Sequence, residues 1–268
     1  MEWTDALILG IVQGLAEYLP ISSSGHLEIF RTILGIDLPK DQTLMFDVMV
    51  HAATVLSTIV ILRHTFYSLC KSFLTFRKDE NFYYVCKILV SCIPIGIIGV
   101  FFKDDVERFF GNGLFTVGIC LCITSILLAF AYFSGKKRSG TYGRAIGWSD
   151  AFLIGCAQAV AVLPGLSRSG TTIASGILLG DKRAQVASFS FLMVILPILG
   201  EALLDIKDII SDPSEAGNIG GTPLAVGFIA AFLVGCAACK WMIELVKRGK
   251  LIWFSVYCVL MGIICILW

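Results

Sequence analysis

Long apolar runs alternate with short polar intervals along the 268-residue chain, and the length of each run decides what it can do in a membrane. A hydrocarbon core of ~30 Å needs about 20 helical residues to cross it. Six stretches, at 46 to 62, 85 to 102, 113 to 133, 184 to 204, 223 to 243 and 251 to 268, are apolar and long enough to be read as spans. Two others, at 5 to 19 and 150 to 163, stop at Pro20 and at Pro164-Gly165, and at ~1.5 Å per residue they reach only about 21 to 23 Å. Each is followed by a polar, glycine-containing knot and a second short apolar piece, which predicts a re-entrant hairpin or a broken helix.

Composition narrows the class. Hydrophobic residues make up 57% of the chain and charged residues 15%, against roughly 25% charged in soluble domains. The apolar runs are too long for the alternating strands of a membrane barrel, so the expectation is an all-α integral membrane protein, residues 1–268 forming one domain with no soluble module. A net charge of +1 and the lack of a basic amphipathic arm argue against a nucleic-acid partner. The opening "MEWTDALILG" has neither a positive n-region nor a small-residue cleavage site, so it is expected to stay in the mature protein. Most of the ten cysteines lie in apolar runs, where a thiol packs as a small hydrophobe, and the "CAAC" pair at Cys236 and Cys239 is read the same way.

Charge reports orientation. The segment from Arg63 to Lys87 holds five basic residues, 134 to 149 holds Lys136, Lys137, Arg138 and Arg144, and 244 to 250 holds three, which predicts these as cytoplasmic. The acidic segment at 205 to 217 and the mixed "KDDVER" at 103 to 108 should face out. That alternation works if the piece from 150 to 180 enters and leaves on the cytoplasmic side while the N-terminal hairpin enters from outside. Both termini are then extracytoplasmic.

The chain also matches itself. Sliding it by 145 residues aligns "DALILGIVQGLAEYLPISSSG" at 5 to 25 with "DAFLIGCAQAVAVLPGLSRSG" at 150 to 170 without a gap, with eight identities in 21 positions. Asp5, Gly10, Gln13, Ser22, Ser24 and Gly25 fall on Asp150, Gly155, Gln158, Ser167, Ser169 and Gly170. The reading is an internal duplication, repeat 1 covering about 1–133 and repeat 2 about 146–268, inserted from opposite faces as an inverted-topology repeat. Six spans plus two such hairpins would bring two polar tips together near mid-membrane.

Those tips carry the candidate chemistry. The first holds Gln13, Glu17, Ser22, Ser23, Ser24, His26 and Glu28, with Gln13 and Glu17 four apart on one helix face. Burying a carboxylate in a membrane segment costs roughly 2.5 to 3.5 kcal/mol, so Glu17 is read as functional, the alternative being an interfacial or helix-pairing carboxylate. The second tip, "PGLSRSGTT" at 164 to 172, supplies Ser167, Arg168, Ser169, Gly170, Thr171 and Thr172. A guanidinium fork, hydroxyls and the amides of a helix N-terminus together make an anion cradle, suited above all to phosphate. The competing reading makes Arg168 and Glu17 a structural ion pair, which leaves the flanking serines without a role. His26 is the natural nucleophile or proton shuttle beside a bound phosphate. His51, inside the first full span, either lines the cavity or bonds a neighbouring helix, and His64 is read as a solvated loop residue. "GLSRSG" misses the GxSxG elbow by one residue, and no GxxxxGK[ST] loop is present. "GIVQG" and "GILLG" are read as sites of close helix approach, and Trp241, Trp253 and Trp268 as interface anchors.

At these residues the sequence resembles the undecaprenyl-diphosphate phosphatase family, the bacterial enzymes first known as bacitracin-resistance proteins. The elements that carry the likeness are the Gln13-to-Glu17 spacing, the following "LPISSSGH", and "PGLSRSGTT", which fits a PGxSRSxxT pattern. The resemblance implies an active site containing Glu17, Ser23, His26, Ser167, Arg168 and Thr172. It also implies a divalent cation, Mg²⁺ or Ca²⁺, held with help from Glu17; Gln13, standing where relatives have Glu, is the weaker ligand. The implied activity removes one phosphate from a polyisoprenyl diphosphate in the bacterial inner membrane, recycling the lipid carrier of peptidoglycan synthesis. The alternative class is a transporter or flippase of the polyisoprenyl phosphate, which would use the same cradle but has no need of the His26, Glu17 and Ser23 cluster. Covalent or direct water attack is open, as are the choice of His26 or Ser23 as nucleophile and the oligomeric state, a homodimer being one reading.

Overall fold

The computed structural model describes residues 1–102, 113–137, 143–163, 165–211 and 219–268, with the backbone alone at 40, 41, 136, 137 and 205–211. In chain order the helices are α1 (Trp3–Ala16), α2 (Ser23–Leu34), α3 (Lys40–Ile61), α4 (Arg63–Leu74), α5 (Glu80–Phe101) and α6 (Gly113–Lys137). They continue as α7 (Trp148–Val160), α8 (Arg168–Leu179), α9 (Arg183–Met193), α10 (Ile195–Ser211), α11 (Gly221–Lys247) and α12 (Ile252–Leu267). Among the described residues the structure is otherwise loops and one isolated bridge between Arg144 and Asp181. The 103–108 stretch, Arg138, Pro164 and the acidic 212–217 segment lie outside the described residues.

Five segments are long and apolar enough to cross a membrane: Gln42–Ile61, Glu80–Phe101, Gly113–Gly135, Arg183–Leu204 and Gly221–Lys247. The sixth expected span is α12, which carries no charged residue but has 16 residues, about 24 Å at ~1.5 Å per residue. Leucine, isoleucine, phenylalanine and tryptophan side chains stand exposed along the outer faces of these helices, Ile126, Leu203 and Trp253 among them. Hydrocarbon tolerates such a surface and water does not.

The structure departs from the expected pattern in two places. The basic loop after the first span contains a helix, α4, whose Leu69 is buried against Ile88 and Phe189 of the core. Asp79 then caps α5 by accepting from the Phe82 amide at 3.0 Å and from the Ser72 hydroxyl, and these bonds hold its carboxyl below the usual range. The span at 184 to 204 is divided at Val194. Pro197 has no N–H to give the Met193 carbonyl, and the Cys92 thiol lies 3.6 Å from that oxygen instead.

The two self-matching stretches fold on one local plan. Asp5 accepts from the Glu2 amide at 3.0 Å, and Asp150 from the Gly147 amide at 2.9 Å, so α1 and α7 start alike. Each then breaks and restarts on a serine: Ser22 accepts from the Gly25 amide at 3.3 Å and Ser167 from the Gly170 amide at 3.0 Å. Ser22 does this with φ of 72°, a left-handed conformation that a non-glycine residue adopts only under tertiary constraint.

Glycines let the half-helices sit hard against their neighbours. A Cβ on Gly10 would lie 2.5 Å from the Gly227 carbonyl oxygen of α11, and one on the matching Gly155 would lie 2.3 Å from the Ser91 carbonyl oxygen of α5. Gly14 and Gly176 are equally crowded, whereas Gly180 ends α8 with φ of 91°. Near the start of α7, Arg144 donates to Asp150 at 2.5 Å and stands 3.7 Å from Asp181. Both Asp181 oxygens are buried without a hydrogen bond. Burial and the adjacent Asp150 push its carboxyl up to about 6.

Candidate active site

The breaks in the two matching stretches meet. Ser169 at the start of α8 donates to the Leu19 carbonyl in the turn after α1 at 3.3 Å, linking positions 150 residues apart. A Cβ on Gly25 would come within 3.2 Å of Gly165 Cα, and one on Gly170 within 3.1 Å of Pro20 Cβ. Helices α2 and α8 therefore start side by side, with Ser22-Ser23-Ser24 on one and Ser167-Arg168-Ser169 on the other. First-turn amides have no partner within their helix and carry the positive end of its dipole, so the junction favours an anion.

Glu17, which follows the last residue of α1 and caps it, is tied in place from two sides. Gln13 donates Nε2–H to its Oε2 at 2.9 Å, as the four-residue spacing predicts, and Ser23 donates its hydroxyl to the same oxygen at 2.8 Å. His51 Nε2 stands 3.7 Å away, while its Nδ1–H donates to the Asp47 carbonyl at 2.8 Å. His51 thus turns toward the carboxylate on a neighbouring helix, at a distance too long for a hydrogen bond.

A narrow cavity joins Glu17 to the second tip. Its polar walls are Glu17, Arg168, Ser169, Thr172, Gln158 and Ser190, and its apolar walls include Phe191, Val194 and Ile198. Tyr18 and Thr54 lie at its side: the Tyr18 hydroxyl donates to the Thr54 carbonyl at 2.6 Å and meets the Ser57 and Thr58 hydroxyls at 2.5 and 2.8 Å, with its ring edge-on to Phe191. The structure thus brings Glu17 and Arg168 to one space without pairing them. Arg168 instead reaches Glu201 of α10 at 3.4 Å.

Of the remaining predicted residues Thr172 and Ser169 are walls of this space, whereas Ser22, Ser23, Ser24, Ser167 and Gly170 belong to the two helix starts without lining it. Ser167 is buried and receives its own anchor when its amide donates to the Thr124 hydroxyl at 3.1 Å. Thr172 donates back to the Arg168 carbonyl at 3.0 Å, fixing the first turn of α8. Ser22 and Ser24 have their hydroxyls 3.4 Å apart, as do Ser167 and Ser169. Thr171 is buried with its hydroxyl unpaired and is not among the cavity walls.

His26 sits behind the cavity rather than in it. Its Nδ1–H donates to the Ser22 carbonyl at 2.9 Å, and because a carbonyl can only accept, Nε2 is then the acceptor for the Tyr257 hydroxyl at 2.7 Å. Tyr257 also stacks on the imidazole, and His26 is buried. Glu28 is exposed on α2, away from the cavity walls. Sequence reasoning did not single out Glu201, Tyr18, Thr54 or Ser190 for the site, and it met Gln158 only as the match of Gln13.

For a divalent cation, Glu17 offers an oxygen, and the buried Oε1 of Gln13 beside it has no partner. No cluster of three or more His, Cys, Asp or Glu side chains suited to a metal occurs among the described residues. The donor set fits a hard cation only where a ligand's phosphate oxygens complete the shell, which is how Mg²⁺ is commonly bound.

Comparison with known proteins gives a consistent answer. The family model described as "Bacitracin resistance protein BacA" matches residues 6–264. An undecaprenyl-diphosphatase of Parabacteroides distasonis is 53% identical over 266 residues, 99% of this chain and 98% of the relative. One from Bacteroides fragilis is 54% identical over the same shares of both chains. A more distant undecaprenyl-diphosphatase, from Carboxydothermus hydrogenoformans, is 39% identical over 98% of this chain and 96% of its own length.

Proposed function

The chain belongs to the bacitracin resistance protein BacA family, and on that footing we infer that it is an undecaprenyl-diphosphate phosphatase. It is a multi-pass membrane protein whose substrate is undecaprenyl diphosphate and whose products are the monophosphate carrier and inorganic phosphate.

We propose that Ser23 is the nucleophile and Glu17 its base. The observation that carries this reading is the 2.8 Å bond from the Ser23 hydroxyl to Glu17 Oε2, the carboxylate being a wall of the cavity that Arg168 also lines. Ser23 Oγ forms a bond to the terminal phosphorus, its proton passes to Glu17, and the anhydride bond breaks to release undecaprenyl monophosphate. Water then attacks the phosphoserine, inorganic phosphate leaves, and Ser23 regains its proton. Arg168 neutralises charge on the phosphoryl oxygens as it develops, while Ser169 and Thr172, whose hydroxyls donate to the Leu19 and Arg168 carbonyls, hold the turn that carries it. His26 holds the Ser22 carbonyl, and with it the turn that carries Ser23. A pure carrier has no use for the Ser23–Glu17 pair.

Glu17 and Gln13 would hold the cation together with substrate oxygens, and when bound it would draw charge from the transferring phosphoryl group. We further propose six spans, with α12 the sixth, and two hairpins inserted from opposite faces of the inner membrane, leaving both termini extracytoplasmic. The shared local plan of α1–α2 and α7–α8, and their exchanged packing on α11 and α5, support an inverted repeat. Both polar tips come from one chain, so a homodimer is not needed to complete the site.

Release of inorganic phosphate from undecaprenyl diphosphate by the purified protein, with and without chelator, tests the function. Turnover that disappears in Arg168→Ala while the protein stays folded is expected; near-normal hydrolysis by that variant overturns the assignment.

A further inference from the structure

Two cavity walls have polar groups with nothing to bond. Gln158 is fully buried near the end of α7, and neither its Oε1 nor its Nε2 has a hydrogen-bond partner; the buried Ser190 hydroxyl of α9 is unpartnered too. Both face the space shared by Glu17, Arg168, Ser169 and Thr172. Among the described residues, the other buried unpaired side-chain groups, on Gln13, Arg31, Thr171 and Asp181, are not walls of this cavity.

Leaving a buried amide unpaired destabilises a fold, so its presence needs a cause. At the matching position in the first stretch the amide has an internal partner, since Gln13 bonds Glu17, four residues on. Four residues beyond Gln158 stands Val162, which offers nothing to bond. The second stretch has kept the amide and dropped its carboxylate. Its donors therefore remain available to whatever enters the cavity.

We propose that Gln158 and Ser190 are substrate-binding residues, donating from Nε2 and Oγ to nonbridging oxygens of the diphosphate that Arg168 holds. The inference rests on the diphosphatase reading and extends it to two residues. A diphosphate ester presents more nonbridging oxygens than one guanidinium fork can serve, and neutral donors add bonds without adding further charge to a membrane-embedded site. Phe191, Val194 and Ile198 keep the neighbourhood apolar, where such bonds gain strength.

The test uses the intact protein in detergent, with kcat and KM for undecaprenyl diphosphate measured beside the thermal unfolding midpoint of the ligand-free protein. Gln158→Leu should raise KM about tenfold to a hundredfold with kcat changed far less, as expected for a lost bond to a charged ligand. Its unfolding midpoint should stay level or rise, because an unpaired buried amide has been replaced by a hydrocarbon of similar size. Ser190→Ala should raise KM about threefold to tenfold, and Ser190→Thr should restore it. A KM within twofold of wild type in Gln158→Leu overturns the inference, as does a lowered midpoint accompanying the lost activity, which assigns Gln158 a packing role. A wild-type protein that releases no phosphate from this substrate instead overturns the reading on which the inference rests.

Discussion

Ser23 and Glu17 face each other across the break between α1 and α2, hydroxyl to carboxylate at 2.8 Å, although five residues, Pro20 among them, separate them along the chain. Glu17→Gln keeps the side chain's size and removes its basicity. It should lower kcat by about a thousandfold or more, with little change in the unfolding midpoint. Ser23→Ala should be as severe, and the double variant no worse than either, because the two act as a unit. Rapid-quench capture of a phosphoserine in wild type, absent from Ser23→Ala, checks the covalent step.

Glu201 occupies the guanidinium that a phosphate should take. Its carboxylate is largely exposed at 3.4 Å from Arg168, so the contact is weak, of order 0.2 to 1 kcal/mol. Substrate has to displace it. Glu201→Gln should therefore lower KM by about twofold to fivefold with kcat unchanged, and the gain should shrink as salt is raised. Steady-state kinetics at two ionic strengths checks both.

Asp150 and Asp181 compete for Arg144, and Asp150 has the closer bond. Burial and its neighbour push the Asp181 carboxyl up to about 6, so the folded protein keeps a proton there that the unfolded chain gives up near pH 4. The folded state binds more protons across that window, and stability must fall as pH rises from about 4 to 6, then level off. Asp181→Asn removes the titration: its unfolding midpoint should exceed that of wild type at pH 7.5, by an amount equivalent to about 1 to 3 kcal/mol, and the gap should narrow markedly at pH 4.5. Unfolding followed at both pH values in detergent decides it.

Gly155 has the Ser91 carbonyl where a Cβ would go, at 2.3 Å, and that oxygen belongs to backbone that cannot swing aside. Gly155→Ala should push α7 off α5 and lower stability by roughly 1 to 3 kcal/mol. Because α7 carries Gln158 and leads into Arg168, activity should fall more than the midpoint does. Gly99, with nothing near its missing Cβ, should accept alanine without cost in the same assay.

Much of this arrangement is legible in the sequence because its signals are local. Proline stops and serine caps mark the broken helices, the four-residue spacing from Gln13 to Glu17 sets their bond, and the 145-residue offset pairs the two tips. What the sequence hides depends on how distant segments meet. Nothing near Glu201 in the chain announces that α10 brings it to Arg168, and the Tyr257 hydroxyl comes to His26 from 231 residues away. The break at Val194 was hidden for a different reason: hydropathy runs unbroken through it, and only the missing N–H of Pro197 marks the place.

Superimposing the two matching stretches by their numbering puts Val162 where Glu17 stands and Ser23 where Arg168 stands. A base on one half thus has no twin, and neither has the guanidinium on the other, so a near-duplicate frame encloses a lopsided centre. A headgroup entering such a chamber meets different ends and has one sensible way round. Its greasy tail must then always leave by the same door, which gives a site built from two like helix breaks a built-in sense of direction.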